Sequence, residues 1–386
     1  MYSIPCFRKY DTIVTPVVWR TDWLENVGIT EIPRTLEEFE EAFYKFTKED
    51  PDGNGKNDTY GLSETGIRTI YGAFGSYRGK WLLGDDGKVV YGDVKPEMKQ
   101  ALEVLHKWYV DGVLDPEFVT GENEGGYWAI THKFLNNQIG YTNMGNFYHW
   151  LPDMSGEENG SAIGEMAAQW KNSGNTGTYA MGYAPEGPDG HKGTDKADFR
   201  KLRTVFSVNL VQDEDRFGRL LEIIDDMNCG SVERSVEVNR GTLGKYSDIV
   251  DFMGKKAYTA IGEAAEADSL NPFLSAKGAA NTFAFIEEGG NLEYQEVAYA
   301  QQFAWADEEF KDKNDGYVSV IFKTPESKAK YGAELDKILN TGYTSIITGE
   351  KPLDYFDEMV KQWYDNGGEQ LTQEANEIYA QEHADN

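Results

Sequence analysis

Basic side chains are scarce in this chain. Lysines and arginines number 37 against 66 aspartates and glutamates, for a net charge of −29 and a pI near 4.5. Phosphate backbones are held by basic faces, so this balance argues against nucleic acid as a partner. Cysteine is scarcer still: Cys6 and Cys229 are too few for a disulfide framework. No run of about 18 apolar residues occurs, so no stretch is expected to span a membrane. Cys6 invites a lipid-anchor reading, but no charged and apolar segments precede it and Ile4-Pro5 are not small residues. The sequence as it stands is therefore read as carrying no export signal. Catalytic signatures are missing as well: no G-x-S-x-G, P-loop, H-E-x-x-H or C-x-x-C is found. The histidines, at 106, 132, 149, 191 and 383, are scattered. Two carboxylates could serve as a glycosidase pair, but nothing selects any two of the 66. No internal repeat or low-complexity tract is present.

What is there begins with Asp50-Pro-Asp52-Gly-Asn54-Gly55-Lys56-Asn57-Asp58. Side-chain oxygens recur at alternate positions, a glycine follows where a sharp turn is needed, and Asp58 closes the series. An EF-hand loop presents oxygens to calcium in this spacing. The expected ligands are Asp50, Asp52, Asn54, the Lys56 carbonyl and Asp58. Position 12 of such a loop falls on Gly61, so the usual bidentate glutamate is missing. Asp, Asn and Gly also form solvated turns for their own reasons. A bound ion would be structural, because the loop offers neither nucleophile nor base.

The length predicts two or more lobes, and strands alternating with helices predict an α/β protein. Thr35-Leu-Glu-Glu38 forms a capping box. Leu36, Phe39, Phe43 and Phe46 then make 35–49 an amphipathic helix leading into the metal loop. A second helix starts near Pro96, with Met98, Leu102, Leu105 and Trp108/Tyr109 inward and Gly112 as its stop. The segment 127–138 reads as a short helix, Ile139–Met144 as a strand, and Leu202–Val211 as β. The helix at 215–228 turns Leu220, Leu221, Ile224 and Met227 inward. Two helices close the chain, one from Thr324-Pro325 to Gly342, the other from Pro352 to Gly367-Gly368. Phe147-Tyr148-His149-Trp150 follows Gly145 at an expected strand end, where α/β sheets hold their ligands. Flat rings there suit sugars; four rings shared between core and rim is the plainer reading. Tyr71, Phe74, Trp81, Tyr127 and Trp128 form a second aromatic population, largely core.

The block Trp19-Arg20-Thr-Asp22-Trp23-Leu24-Glu-Asn-Val-Gly28 resembles one found in the extracellular solute-binding proteins, family 1, the sugar-binding lipoproteins of bacterial ABC importers. Pro33-Arg-Thr35 to Asp58 and Ile346-Ile-Thr-Gly349-Glu-Lys-Pro352-Leu-Asp…Gly367-Gly368-Glu…Asn376 are similar to the family's pattern, in order. The metal loop is most like that of alginate-binding members, which hold Ca2+ there; they carry an acidic residue where this chain has Thr59. The resemblance implies a two-lobed periplasmic-binding-protein-like (type 2) α/β clamp closing by hinge motion. On the family's topology, 1–5 is a hinge strand, 6–204 the second lobe and 205–300 the remainder of an incomplete first lobe. Residues 301–386 would pack helices back on the second lobe, and roughly 100 residues of a first-lobe βαβ run would precede Met1. The implied ligand residues are Arg8 and Tyr10 just past the hinge strand, Glu64 and Arg68 beyond the metal loop, and Phe147, Tyr148, His149 and Trp150.

These readings converge on a non-enzymatic, monomeric binding component that delivers a carbohydrate, an oligosaccharide, to ABC permease subunits. It would be extracellular and lipid-anchored in the complete protein. The alternatives are a carboxylate-dependent glycoside hydrolase and a calcium-stabilised adhesion or scaffold module.

Overall fold

In the computed structural model the described residues are 2–5, 13–119, 132–152, 163–196, 203–229, 231, 234, 241–252, 255–261 and 300–384. Arg8, Tyr10, Tyr127 and Trp128 lie outside them. The chain forms two units, one of 1–12, 151–164 and 198–308, the other of 13–150, 165–197 and 309–386. The segment 6–204, expected as one lobe, is thus shared between the units. One cause is that strand Tyr2–Pro5 pairs antiparallel with Arg203–Phe206, Tyr2 opposite Phe206.

The larger unit is built on a three-stranded antiparallel sheet, with Val17–Arg20 between Tyr141–Thr142 and Tyr179–Gly182. Trp19, fully buried, anchors it. Its ring stacks on Phe43 at 5.4 Å and meets Phe39, Phe46 and Tyr141 edge-on or tilted. Those phenylalanines come from helix Leu36–Lys48, which starts where expected: Thr35 accepts from the Glu38 N–H and Glu38 reaches back to the Thr35 N–H. Helix Met98–Val110 buries Met98, Leu102, Leu105 and Trp108, and Gly112 follows it at φ 72°. Arg20 leaves the sheet into helix Thr21–Asn26 and is 3% exposed. Its Nε donates to Asp22 at 2.8 Å, Nη1 donates to Asn137, and the guanidinium lies between the rings of Trp23 and Trp170 at 4.8 and 4.9 Å.

Four expected boundaries move. Helix Lys328–Thr348 runs through Gly342 and ends at Gly349, φ 79°. Gly342 is there for close approach: a Cβ would stand 2.3 Å from the Met359 sulfur on helix Tyr355–Trp363. Gly367, φ 119°, kinks the chain rather than ending it, and helix Glu369–Glu382 follows. The β reading of 202–211 stops at Phe206, because Ser207 accepts from the Leu210 N–H and caps helix Val208–Val211. The strand expected over 139–144 is reduced to Tyr141–Thr142.

A hairpin of Trp81–Leu83 and Val89–Tyr91 packs on the closing helices, Tyr91 stacking on Trp363 at 5.6 Å. Asn376, in the last helix, accepts from the Val89 N–H at 2.8 Å and donates to the Val89 carbonyl at 2.9 Å. In the smaller unit, Leu220, Leu221, Ile224 and Met227 share the half-buried face of helix Glu214–Cys229. Phe217 there meets Phe206 at 5.2 Å. Strands Ser247–Phe252 and Lys255–Ala260 form an antiparallel hairpin.

Candidate ligand-binding site

A cavity of about 660 Å³ opens within the larger unit. Helix Glu64–Ala73 supplies one wall through Glu64, Thr65, Ile67, Arg68 and Tyr71. Glycines let this helix sit close to its supports. A Cβ at Gly66 would be 2.6 Å from the Tyr141 ring, and one at Gly72 would be 2.0 Å from the Gly193 carbonyl. Thr69 and Tyr141 hydroxyls meet at 2.7 Å, which fixes the helix to the sheet. The loop after Thr142 forms a second wall. Asn143 is tied down through its N–H to the Thr65 carbonyl at 3.0 Å and through Nδ2 to Thr15 and Pro16 carbonyls, each at 2.9 Å.

The far side carries Arg78, Asn340 and Tyr343. Arg78 donates to Asp93 at 2.8 Å and to Asn340 at 2.7 Å, and its guanidinium lies 4.5 Å over the Tyr343 ring. Burial raises the Tyr71 hydroxyl to about 12, with Asp93 adding to the effect and Arg78 and Arg68 opposing it. Burial likewise holds the Tyr343 and Tyr77 phenols protonated. The Thr65 hydroxyl is buried without a hydrogen-bond partner. So is that of Tyr77, which lies near Thr194 and the Asp195 backbone but lacks hydrogen-bond geometry to either. The lining therefore mixes ring faces with neutral hydroxyls, amides and charged groups, the mixture that positions a polar ligand in a concave site.

Of the residues singled out from the sequence, Glu64 and Arg68 line this cavity, both exposed. Phe147, Tyr148, His149 and Trp150 form a 3₁₀ turn, not the end of an extended strand, and none of the four borders the cavity. Trp150, 1% exposed, donates to the Met144 carbonyl at 2.8 Å and packs on Phe134 and Tyr179. Phe147 and His149 are also buried, and Tyr148 is 39% exposed. The His149 Nδ1 accepts from the Asn146 N–H at 2.9 Å, and burial lowers its pKa, with Glu165 opposing. Sequence reasoning missed Arg78, Asp195, Asn340 and Tyr343. Asp195, Asn340 and Tyr343 come from distant segments, Arg78 lies ten residues past Arg68, and none carries a motif; Tyr71 was expected only as core.

The loop 50–58 turns at positive φ through Asp50, Gly53 and Gly55. Asp50 carboxylate oxygens accept from the Asn54 and Gly55 N–H groups at 3.0 and 2.9 Å. The Asn54 side-chain nitrogen donates to Asp52 at 2.8 Å and to Asp58 at 3.1 Å. Partial burial raises the Asp52 pKa, and the neighbouring Asp58 and Asp50 add to it. Among the described residues no three of His, Cys, Asp and Glu form a metal-ready cluster. Here the aspartates converge on an amide nitrogen, a hydrogen-bond donor where a cation would relieve the same crowding. The missing glutamate has a packing reason: a Cβ at Gly61 would be 2.4 Å from the Phe43 Cβ.

No protein-family model matches the chain. The lipoprotein LipO of Bacillus subtilis (strain 168) is 24% identical over 397 residues, covering 97% of this chain and 70% of LipO. The polygalacturonan/rhamnogalacturonan-binding protein YtcQ of the same organism is 24% identical over 390 residues, 95% of this chain and 68% of YtcQ. Among solved structures, the S. pneumoniae ABC-transporter substrate-binding protein FusA in complex with kestose superposes with a TM-score of 0.65 at 18% identity, covering 100% of this chain and 77% of FusA. FusA solved as an EF-hand mutant with fructo-nystose gives 0.62 at 16%, covering 100% and 77%. The fold class expected from the sequence is thereby established as that of ABC solute-binding proteins.

Proposed function

We propose that this chain is a binding component akin to the extracellular solute-binding proteins, family 1, and that it captures an oligosaccharide for ABC permease subunits. The observation that carries this reading is the cavity beside helix Glu64–Ala73, where tyrosine rings, amides and charged side chains face one volume. Rings pack on the C–H faces of a sugar while amides and guanidinium groups hydrogen-bond its hydroxyls. YtcQ is named for polygalacturonan and rhamnogalacturonan, and FusA was solved with kestose; carbohydrate is the ligand class these relatives share. The protein does no chemistry on that ligand. Among the described residues no helix is long and apolar enough to cross a membrane; attachment to the cell surface by lipid is part of the proposal. Calorimetric titration against an oligosaccharide panel tests it. Saturable binding without release of reducing ends is expected, and catalytic release of reducing ends would overturn it in favour of a hydrolase.

Calcium belongs to the same proposal. Asp50, Asp52, Asn54, the Lys56 carbonyl and Asp58 would hold it, an all-oxygen set suited to a hard cation. An ion bound only by the native state would stabilise it by about 4 kcal/mol at roughly 1,000 times its dissociation constant. Chelator is expected to lower the melting temperature of the parent and to leave Asp52→Ala unmoved; identical melting of the parent with and without chelator would count against the site.

A further inference from the structure

We propose that the saccharide is anionic, its sugars bearing carboxylates, and that Arg68 is the residue that selects for it; the inference rests on the carbohydrate reading above. Among the described residues four charged side chains line the cavity: Glu64, Arg68, Arg78 and Asp195. Glu64 has an interaction of its own, and two more are matched. Arg78 is held by Asp93 and Asn340, and Asp195 is paired with Lys80. Glu64 stands one helical turn before Arg68, a spacing that lets a carboxylate and a guanidinium meet. No ion pair forms between them, and Arg68 has no hydrogen-bond or ion-pair partner among the described residues.

An arginine cannot shed its charge, and its planar fork of donors matches a carboxylate in two parallel bonds. A neutral sugar would draw only hydrogen bonds from that guanidinium, whereas an acidic one approaching a protein of net charge −29 also needs a local positive group to offset the repulsion. The buried Thr65 hydroxyl, unpartnered on the same wall, adds an unsatisfied polar group three residues from Arg68. Arg68 is thus the one lining charge whose donors wait on a ligand.

Calorimetry on the full chain with trigalacturonate, and with the same trisaccharide after its carboxyls are reduced to alcohols, tests the assignment. The acid is expected to bind at least about tenfold tighter, ~1.4 kcal/mol, and added salt should weaken only the acid. Arg68→Met should erase that preference without lowering the melting temperature, while Arg68→Lys retains part of it. Equal binding of acid and reduced forms, or an unchanged preference in Arg68→Met, overturns the inference. If kestose binds and trigalacturonate does not, the carbohydrate reading stands and the inference fails. If no oligosaccharide binds, both fail.

Discussion

Arg20 and Arg68 lie in the same unit and are used in opposite ways. Arg20 is buried, its donors taken by Asp22 and Asn137 and its faces by two indole rings. Arg68 stands exposed at the cavity with its donors uncommitted. The first sits inside the sequence block by which the chain is recognised; the second sits in no motif at all. Residues that make this sequence resemble a known family hold the frame, whereas the ligand choice proposed above would fall to a position that packing leaves free. The aromatic turn 147–150 teaches the same lesson, since three of its four rings are spent on packing.

The contrast can be broken by experiment. The largest effect is expected at Trp150, where truncation to alanine should cost about 3–5 kcal/mol in denaturant unfolding. Tyr148→Ala, at the exposed ring, should stay within about 0.5 kcal/mol. Equal losses would place both rings in the frame. Arg20→Ala should cost about 3 kcal/mol, near the lower end for a broken buried pair because Asp22 keeps some solvent. Unchanged stability would dissolve the distinction between the two arginines. Arg68→Met should leave unfolding within about 0.5 kcal/mol and alter binding alone.

The smallest effect concerns pH. His149 is held neutral, its pKa below the ordinary 6.5 because burial penalises the charge. The unfolded chain therefore takes up the proton first. The stability linked to this group is full above 6.5 and is lost as pH falls through the lowered folded value. Melting curves of His149→Gln should decline less steeply than the parent's between about pH 7 and 5; parallel declines would remove His149 from the account.

Much of the frame was legible because it is local. The Thr35–Glu38 box, the phenylalanine stripe of the helix it starts and the stop at Gly112 each depend on residues within a few turns. Gly342 misled because its reason lies on another helix, at Met359. At Gly367 the helical path does break, as expected, but a further helix, Glu369–Glu382, follows at once with no signal that the sequence reading used. At the site, Glu64 and Arg68 were reached through the resemblance. Asp195 and Asn340 could not be, since only the folded chain brings residues so far apart in sequence to one cavity, and Arg78, ten residues past Arg68, sits in no motif. The loop 50–58 was readable as a spacing of oxygens, but not the way Asn54 draws its aspartates together.

Asn376 carries a consequence of a different kind. Its side-chain amide makes both bonds that a neighbouring strand would make to Val89. It therefore masks part of a sheet margin that would otherwise offer itself to another chain. Because synthesis runs from the N-terminus, the hairpin waits for nearly three hundred residues before this mask is made. Until then the growing chain keeps an adhesive margin, and the last helix is what retires it.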